Sequence, residues 1–299
     1  MKRIENNKIM LIYNSILEED LSLSIKDVPA DWVITTDRRY FQQADAVVFY
    51  LPSLELENDL EKQKGQIWIA WYMESEKKYP GFRTPEISEL FDLRMSYRQD
   101  ADVVYPFYRH EYLECFTQEI SAERKQNKKC VFVDEKIIFL RGGRMFYLRE
   151  LMKHTGIDSN GRLLNNQKPS AVNENETKPD MYRDYKFVIA FEDAHEPDYV
   201  TEKFFDPLIA DSVPIYLGAP NIDEFAPGDN CFVDVRQFES PQALAHFINT
   251  CYEDEQLYAQ FFEWKNRPLR QAFLQKAAMQ KEHPFVRLCR KVDAKRLSQ

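Results

Sequence analysis

The segment from residue 185 to residue 218 constrains the fold more than any other part of the chain. An apolar run, Tyr185–Phe191, ends in an acidic loop, a short segment opened by residues 198–203 follows, and a second apolar run, Val213–Leu217, ends at Gly218. Apolar runs bounded by turn residues predict strands, and two strands joined by a helical crossover predict a βαβ unit of a parallel sheet. Ligands of such sheets bind at the carboxyl ends of the strands, beside helix N-termini.

The charges at the start of the predicted helix suggest an anion site. Lys203 lies in the first turn, where the partial positive charge of a helix N-terminus makes a lysine costly unless an anion lies nearby. Free backbone N–H groups and an ammonium group suit a phosphate or a diphosphate. The neighbouring Glu202 suits hydroxyls or a developing positive charge. The alternative is that Asp198 or Thr201 caps the helix and that Glu202 and Lys203 are solvated surface charges.

A family pattern favours the functional interpretation. The sequence from residue 191 reads FEDAHEPDYVTEK, followed by SVPIYLGAPN and EFAPGDNCFVDVRQFESP. It resembles the donor-binding signature of the α-1,3-fucosyltransferases of glycosyltransferase family 10, which is roughly F-E-N-S, D-Y-[VI]-T-E-K and V-P-[VI]-x-x-G-A-P. Three further segments resemble the same family in the same order: IWIAWYMESEKKYPGF (67–82), LRMSYRQDADVVYPF (93–107) and RMFYLREL (144–151). Several ordered motifs spread over most of the chain make the resemblance specific.

The resemblance implies a GT-B fold, in which two Rossmann-like α/β domains face each other across a cleft. The residue pattern on its own predicts two α/β units, with a linker in the charged passage at residues 121–129. We therefore expect three parts: an N-terminal acceptor-binding domain (1–125), a C-terminal domain that binds the donor GDP-fucose (126–275) and a helical tail (276–299).

The tail is basic and amphipathic. Residues 281–299 contain six Lys and Arg against one Glu and one Asp. Their spacing predicts a helix with Phe285, Leu288 and Val292 on one face. That face either packs back onto the domains or gives weak, peripheral contact with an anionic membrane surface.

The resemblance also assigns roles to single residues. Fucose transfer with inversion needs a base for the acceptor proton, cations for the diphosphate leaving group and a group that tolerates an oxocarbenium-like centre. Glu74, which follows an apolar run, matches the family's base. Arg144 and Lys203 would hold the diphosphate, and Glu202 would face the fucose hydroxyls or the anomeric region. The other implied donor-binding residues are Tyr199, Glu192, Asp193, Val200 and Thr201.

Three departures from the family pattern bear on these roles. Asp193 stands where the family has Asn, which exchanges an amide that can donate a hydrogen bond for a carboxylate that cannot. Pro207 falls inside the expected helix, so either that helix is kinked or a regular helix begins only at Asp206. Arg141 competes with Arg144 for the diphosphate.

Composition narrows the possible partners. The net charge of −9 argues against nucleic acid, because phosphate-backbone binders need a basic footprint. Five cysteines without metal-type pairs predict reduced thiols, and the apolar run near the N-terminus is too short for a signal peptide or a membrane span. We expect a soluble bacterial form of the family, cytoplasmic or peripheral at the inner membrane. The histidines are scattered, so we expect no metal site, no obligatory cofactor and no divalent-ion requirement.

The function expected is an inverting α-1,3-fucosyltransferase. It would move L-fucose from GDP-fucose to the 3-hydroxyl of N-acetylglucosamine, or of glucose, in N-acetyllactosamine-type glycans, with Lewis-X-like products of the kind found in lipopolysaccharide. Two alternatives stay open: a GT-B transferase for another nucleotide sugar, which Asp193 makes possible, and a non-catalytic protein that binds a nucleotide sugar or a glycan. The sequence leaves the choice between the 3-hydroxyl and the 4-hydroxyl, the length of the acceptor and the oligomeric state undecided.

Overall fold

The structure is a computed structural model that describes residues 7–14, 25–54, 60–118, 127–133, 143–159, 164, 166 and 178–298. The chain divides into a first unit, made of residues up to Phe107 and from Met279 onward, and a second unit, Tyr108–Ala278. The first boundary between the units thus lies between Phe107 and Tyr108, whereas the sequence predicted it at residue 125. The physical reason is that Tyr108 and Phe116 are buried in an apolar cluster of the second unit.

A parallel sheet of six strands forms the centre of the first unit. Its spatial order is β2-β1-β3-β4-β5-β6, and every neighbouring pair is parallel. The side chains of β3 and β4 are buried along their whole length, which explains their unbroken apolar sequence. The strands are β1 (Lys8–Asn14), β2 (Trp32–Thr35), β3 (Ala46–Tyr50), β4 (Ile67–Tyr72), β5 (Leu93–Ser96) and β6 (Val103–Val104).

The second unit contains a parallel sheet of five strands. Their order is β11-β10-β9-β7-β8, so β7 and β9 are neighbours although β8 lies between them in sequence. The strands are β7 (Lys128–Phe132), β8 (Asp158–Ser159), β9 (Tyr185–Phe191), β10 (Val213–Leu217) and β11 (Val233–Asp234). The βαβ unit predicted from the sequence is confirmed, and so is the fold class, α/β with two Rossmann-like parallel sheets.

Nine α-helices and several short 3₁₀ helices connect the strands within the described residues. The α-helices are α1 (Pro85–Ser88), α2 (Tyr112–Thr117), α3 (Gly143–Leu151), α4 (Lys178–Tyr182), α5 (Glu202–Ile209), α6 (Pro241–Glu253), α7 (Glu255–Ala259), α8 (Gln271–Met279) and α9 (Pro284–Leu297). The 3₁₀ helices are Arg38–Gln43, Leu51–Ser53, Pro80–Arg83, Ile222–Glu224, Val235–Gln237 and Gln260–Asn266. Among these helices, none combines the length and the apolar composition that crossing a bilayer would require.

Helices α3 and α5 lie on opposite faces of the second sheet. Met145 and Leu148 of α3 pack in the cluster that contains Phe187, Ile189 and Phe191. The buried side chains of α5, Phe204, Phe205 and Leu208, pack instead in the cluster that contains Ala190 and Tyr216. Successive side chains of a strand point to opposite faces, so the two helices leave β7 and β9 on different sides. The carboxyl ends of β7 and β9 are therefore a topological switch point, the place where open α/β sheets bind ligands.

The last helix completes the core of the first unit. The predicted face of α9, Phe285, Leu288 and Val292, is buried against the sheet. Val286 and Cys289 of the same helix are buried in this cluster too, and the sheet contributes Met10, Ile12, Val48, Ile69 and Trp71. Asp293 accepts hydrogen bonds from Lys8 Nζ (2.5 Å) and Trp32 Nε1 (3.1 Å), and Arg287 donates one to the carbonyl of Val104 (2.7 Å). The sequence predicted either packing onto the protein or contact with a membrane surface for the tail, and the structure shows packing onto the protein.

Removing a buried side chain from this helix should destabilise the protein. Leu288 is fully buried, so Leu288→Ala should lower the free energy of unfolding by about 2–5 kcal/mol, measured by urea denaturation. Leu297 of the same helix is 90% exposed and gives a matched control: Leu297→Ala should change that free energy by less than about 0.5 kcal/mol. Equal, small effects of both substitutions would show that the helix does not stabilise the first unit.

Candidate functional site

Two cations meet one carboxylate at the switch point of the second unit. Arg144 lies in the first turn of α3 and Lys203 in the first turn of α5. Asp193 follows β9 by two residues. Its Oδ1 lies 2.7 Å from Arg144 Nη1 and 2.7 Å from Lys203 Nζ. The structure therefore brings together both residues that were predicted to hold a diphosphate, each beside a helix N-terminus.

The Asp193 carboxylate is partly buried between these cations, with 21% of its side chain exposed. Burial alone would raise the pKa of this carboxyl group. The charges of Lys203 and Arg144 outweigh that effect, and the pKa lies below its usual value. Asp193 is thus ionised at neutral pH and acts as the anion of this site.

Arg144 also holds the main chain at the end of β9. Its side chain is only 7% exposed, and Nη1 donates to the carbonyls of Phe191 (3.2 Å) and Glu192 (2.9 Å). The predicted competitor, Arg141, lies outside the described residues. Lys203 is 22% exposed, so the lysine is the more accessible of the two cations.

Thr201 and Glu202 define the start of α5. Thr201 is the N-cap, and its hydroxyl accepts a hydrogen bond from the Lys203 amide (3.3 Å). The helix begins at Glu202 and contains Pro207, so the alternative of a regular helix that begins only at Asp206 is wrong. The residue Glu202 is partly exposed, and its side chain makes no hydrogen bond or ion pair with any residue that the structure describes. It is therefore available to a ligand.

Glu192 connects β9 to α5. Its side chain is fully buried, and its two carboxylate oxygens accept from the amide and the hydroxyl of Thr201, each at 2.8 Å. Burial raises the pKa of Glu192 to about 7, against a lowering effect of Lys203. Gly218, at the end of β10, leaves room for it: a Cβ there would lie 2.4 Å from Glu192 Cγ and 2.4 Å from the Tyr216 hydroxyl. Glu192 and Asp193, adjacent acidic residues, thus have different environments.

The loop that joins β9 to α5 is fixed by a contact that the sequence did not predict. Asp198 has a left-handed backbone with φ of 68°, a conformation that Asp tolerates better than most residues. Its amide donates to Asn221 Oδ1 (2.9 Å), and Asn221 Nδ2 donates back to Asp198 Oδ1 (2.9 Å). Asn221 directly follows Gly218-Ala219-Pro220, which belong to the family pattern. That position is the signal in the sequence that could have indicated the contact. The side chains of Tyr199 and Val200 are buried, and we expect them to act by shaping this loop.

Glu74 lies in the first unit, just beyond the carboxyl end of β4. Its Oε2 is 2.8 Å from Lys78 Nζ, and both side chains are 27% exposed. Burial, together with the charge of Glu74, raises the pKa of Tyr50, which places that phenol nearby. A second carboxylate, Glu76, accepts a hydrogen bond from the Tyr72 hydroxyl (2.7 Å). The partly exposed carboxylate of Glu74 has the functional group that a general base needs.

The first unit also contains a cavity that lies at the other end of the sheet from Glu74. A cavity of about 360 Å³ in the first unit is lined by Phe82, Phe91, Asp92, Arg94 and Asp102 among others. Asp92 and Asp102 directly precede β5 and β6, so the cavity lies at the amino ends of those strands, whereas Glu74 lies at a carboxyl end. No three His, Cys, Asp or Glu side chains of the described ranges come together as a metal site would need.

Comparisons with known proteins identify relatives over most of the chain. The sequence model described as "Fucosyltransferase, N-terminal" matches residues 5–108, and the model described as "Glycosyltransferase family 10 (fucosyltransferase) C-term" matches residues 122–299. The GDP-fucose protein O-fucosyltransferase 3 of Xenopus tropicalis is 30% identical over 77% of this chain and 52% of its own length. The human 4-galactosyl-N-acetylglucosaminide 3-alpha-L-fucosyltransferase FUT6 is 33% identical over 79% of this chain and 66% of its own length. This chain thus spans between half and two thirds of these relatives.

Solved structures confirm the fold class. A crystal structure of an α1,3-fucosyltransferase with GDP-fucose matches 92% of this chain with a TM-score of 0.63, and one with GDP matches 97% with a TM-score of 0.65. Both are 14% identical to this chain, and they show that the two Rossmann-like sheets are those of a GT-B fold.

The buried Glu192 carboxyl should make stability depend on pH. Its folded pKa of about 7 lies above the ordinary value of 4.5. The folded protein therefore keeps a proton that the unfolded chain loses, and wild-type stability falls as pH rises between these values. Glu192→Gln removes this titration. From pH 5 to pH 8 its unfolding free energy should rise relative to wild type by roughly 2–3 kcal/mol, measured by urea denaturation at each pH.

The control is Glu263→Gln, which changes an exposed carboxylate paired with Arg267. Its stability relative to wild type should vary little over the same range. A Glu192→Gln difference that is constant from pH 5 to pH 8 would contradict a raised pKa for Glu192.

Proposed function

This chain belongs to glycosyltransferase family 10, the fucosyltransferase family, and from that premise we propose that it is an inverting α-1,3-fucosyltransferase. It transfers L-fucose from GDP-fucose to the 3-hydroxyl of N-acetylglucosamine, or of glucose, in N-acetyllactosamine-type glycans. The products are Lewis-X-like. The observation that carries the proposal is the pair of cations, Arg144 and Lys203, on one anion beside two helix N-termini at the switch point.

The proposed reaction is a single displacement at the anomeric carbon of fucose. The acceptor oxygen attacks that carbon, the bond from carbon to the diphosphate oxygen breaks, and GDP leaves with the bonding electrons. Arg144 and Lys203 stabilise the negative charge that develops on the diphosphate. Glu74 takes the acceptor proton. Glu202, which has no partner among the described residues, faces the fucose hydroxyls or the anomeric region.

Two kinds of acceptor are represented among the relatives. One is named a protein O-fucosyltransferase, and another acts on a galactosyl-N-acetylglucosaminide. We propose the glycan acceptor because the α-(1,3)-fucosyltransferase B of Drosophila melanogaster, 29% identical over 78% of this chain, and the human relative both have α-1,3 activity in their names. A fucosylated polypeptide would favour the other acceptor class.

We propose a bacterial, cytoplasmic setting, with lipopolysaccharide as one source of the acceptor glycan. Peripheral contact with the inner membrane fits the outer face of α9, where Arg290 and Lys291 are 67% and 46% exposed. The alternatives of another nucleotide-sugar donor and of a non-catalytic binding protein are outcomes of the experiments below.

Release of GDP from GDP-fucose should depend on the acceptor and not on a metal. With N-acetyllactosamine present and EDTA in excess, we expect GDP to accumulate in step with fucosylated product, because the two cations neutralise the leaving group. Coupled detection of GDP and mass spectrometry of the product measure both. Loss of turnover in EDTA, restored by Mg²⁺ or Mn²⁺, would overturn the metal independence. Tight GDP binding without release would favour another donor or a binding protein.

Replacing the proposed base should separate chemistry from binding. Glu74→Gln should lower kcat by about 10²-fold or more while the Kd for GDP stays unchanged, because Glu74 lies in the first unit and the donor cations in the second. Glu89→Gln, on an exposed turn of the same unit, is the control and should keep wild-type kcat. Unchanged transfer by Glu74→Gln would remove Glu74 from the mechanism.

A further inference from the structure

The anion that pairs with Arg144 and Lys203 is a side chain of the protein itself, Asp193. A single oxygen, Asp193 Oδ1, accepts from Arg144 Nη1 and from Lys203 Nζ at 2.7 Å each. Both cations approach it from the first turns of helices that lie on opposite faces of the sheet. Such an arrangement of two charged donors and two helix N-termini around one oxygen is the environment that a phosphate oxygen prefers.

The charge of the site depends on this one carboxylate. Arg144 and Lys203 contribute two positive charges and Asp193 removes one. Of the two nearby carboxyl groups, Glu192 is fully buried and bonded to Thr201, whereas Glu202 has no partner among the described residues. Asp193 is therefore the carboxylate that the two cations share, and an amide in its place would remove that shared negative charge.

We infer that Asp193 is an internal counter-anion, which occupies the place of a donor phosphate oxygen and must give up its two ion pairs before the diphosphate can bind. This inference rests on the proposed function for the identity of the ligand. Each binding event exchanges two ion pairs of Asp193 for two of the diphosphate. The exchange weakens the binding of every diphosphate, including the product GDP, which gains negative charge when the sugar leaves. Return of Asp193 to the cations then speeds the release of GDP.

The consequence is a specific prediction for Asp193→Asn. Without the internal anion, the two cations repel each other, so the melting temperature of the ligand-free variant should be lower than that of wild type. Inorganic pyrophosphate should raise the melting temperature of the variant more than that of wild type. GDP should bind the variant about tenfold tighter or more, measured by calorimetry, because an ionic hydrogen-bond partner no longer competes.

The matched control is Asp229→Asn. Asp229 is an exposed carboxylate of the same unit that pairs with Arg270 at 2.6 Å. This variant should show wild-type affinity for GDP and a wild-type response to pyrophosphate. An equal or smaller pyrophosphate response of Asp193→Asn would overturn the inference. If pyrophosphate stabilises Asp193→Asn more than wild type but GDP binds to neither protein, the internal anion stands and the nucleotide donor proposed above falls.

A measurement on the wild-type protein avoids dependence on the variant. The carboxyl carbon of Asp193 can be followed by ¹³C NMR during a pH titration with and without pyrophosphate. If the ligand takes the cations, the pKa of Asp193 should rise, because the charges that lower it are then shared with another anion. An unchanged pKa in the presence of bound pyrophosphate would show that the ligand does not displace Asp193.

Discussion

A buried carboxylate joins the end of β9 to the start of α5. Glu192 at the end of β9 accepts both the amide and the hydroxyl of Thr201, the N-cap of α5. A carboxylate in the interior is costly unless its oxygens are bonded, and here two hydrogen bonds satisfy it. The contact also requires Gly218, since any side chain there would collide with Glu192. Three sequence motifs thus meet at one side chain, and the position of Lys203 depends on it.

The topology of the second sheet explains how an acidic protein of net charge −9 builds a site for an anion. Strands β7 and β9 are neighbours in space, and the helices that follow them lie on opposite faces. One cation from each helix therefore reaches the same point. Two local positive charges and two helix N-termini are the groups that favour one anion, whatever the net charge of the whole protein.

Apolar runs predicted the central strands well, because β4 and β9 are buried on both faces and leave an unbroken signal. The two-residue strands β8 and β11 have no such signal. The meeting of Arg144 with Asp193 could not be predicted from spacing, since it depends on the strand order. The sequence also could not separate Glu192 from Asp193, as the difference between a buried hydrogen-bond acceptor and an ion pair arises only from packing. The unit boundary was predicted too late for the same reason: Tyr108 and Phe116 are aromatic residues that either unit could bury.

The two ends of the chain share one core, and this affects how the protein is made. The apolar face of the first sheet is covered by α9, while the second unit is a continuous stretch, Tyr108–Ala278, that lies between them in sequence. At a synthesis rate of about 5–20 residues per second, the first sheet waits on the order of ten seconds or more for its last helix. The second unit, although translated later, is complete first. The first sheet therefore keeps one of its apolar faces uncovered until α9 has been synthesised.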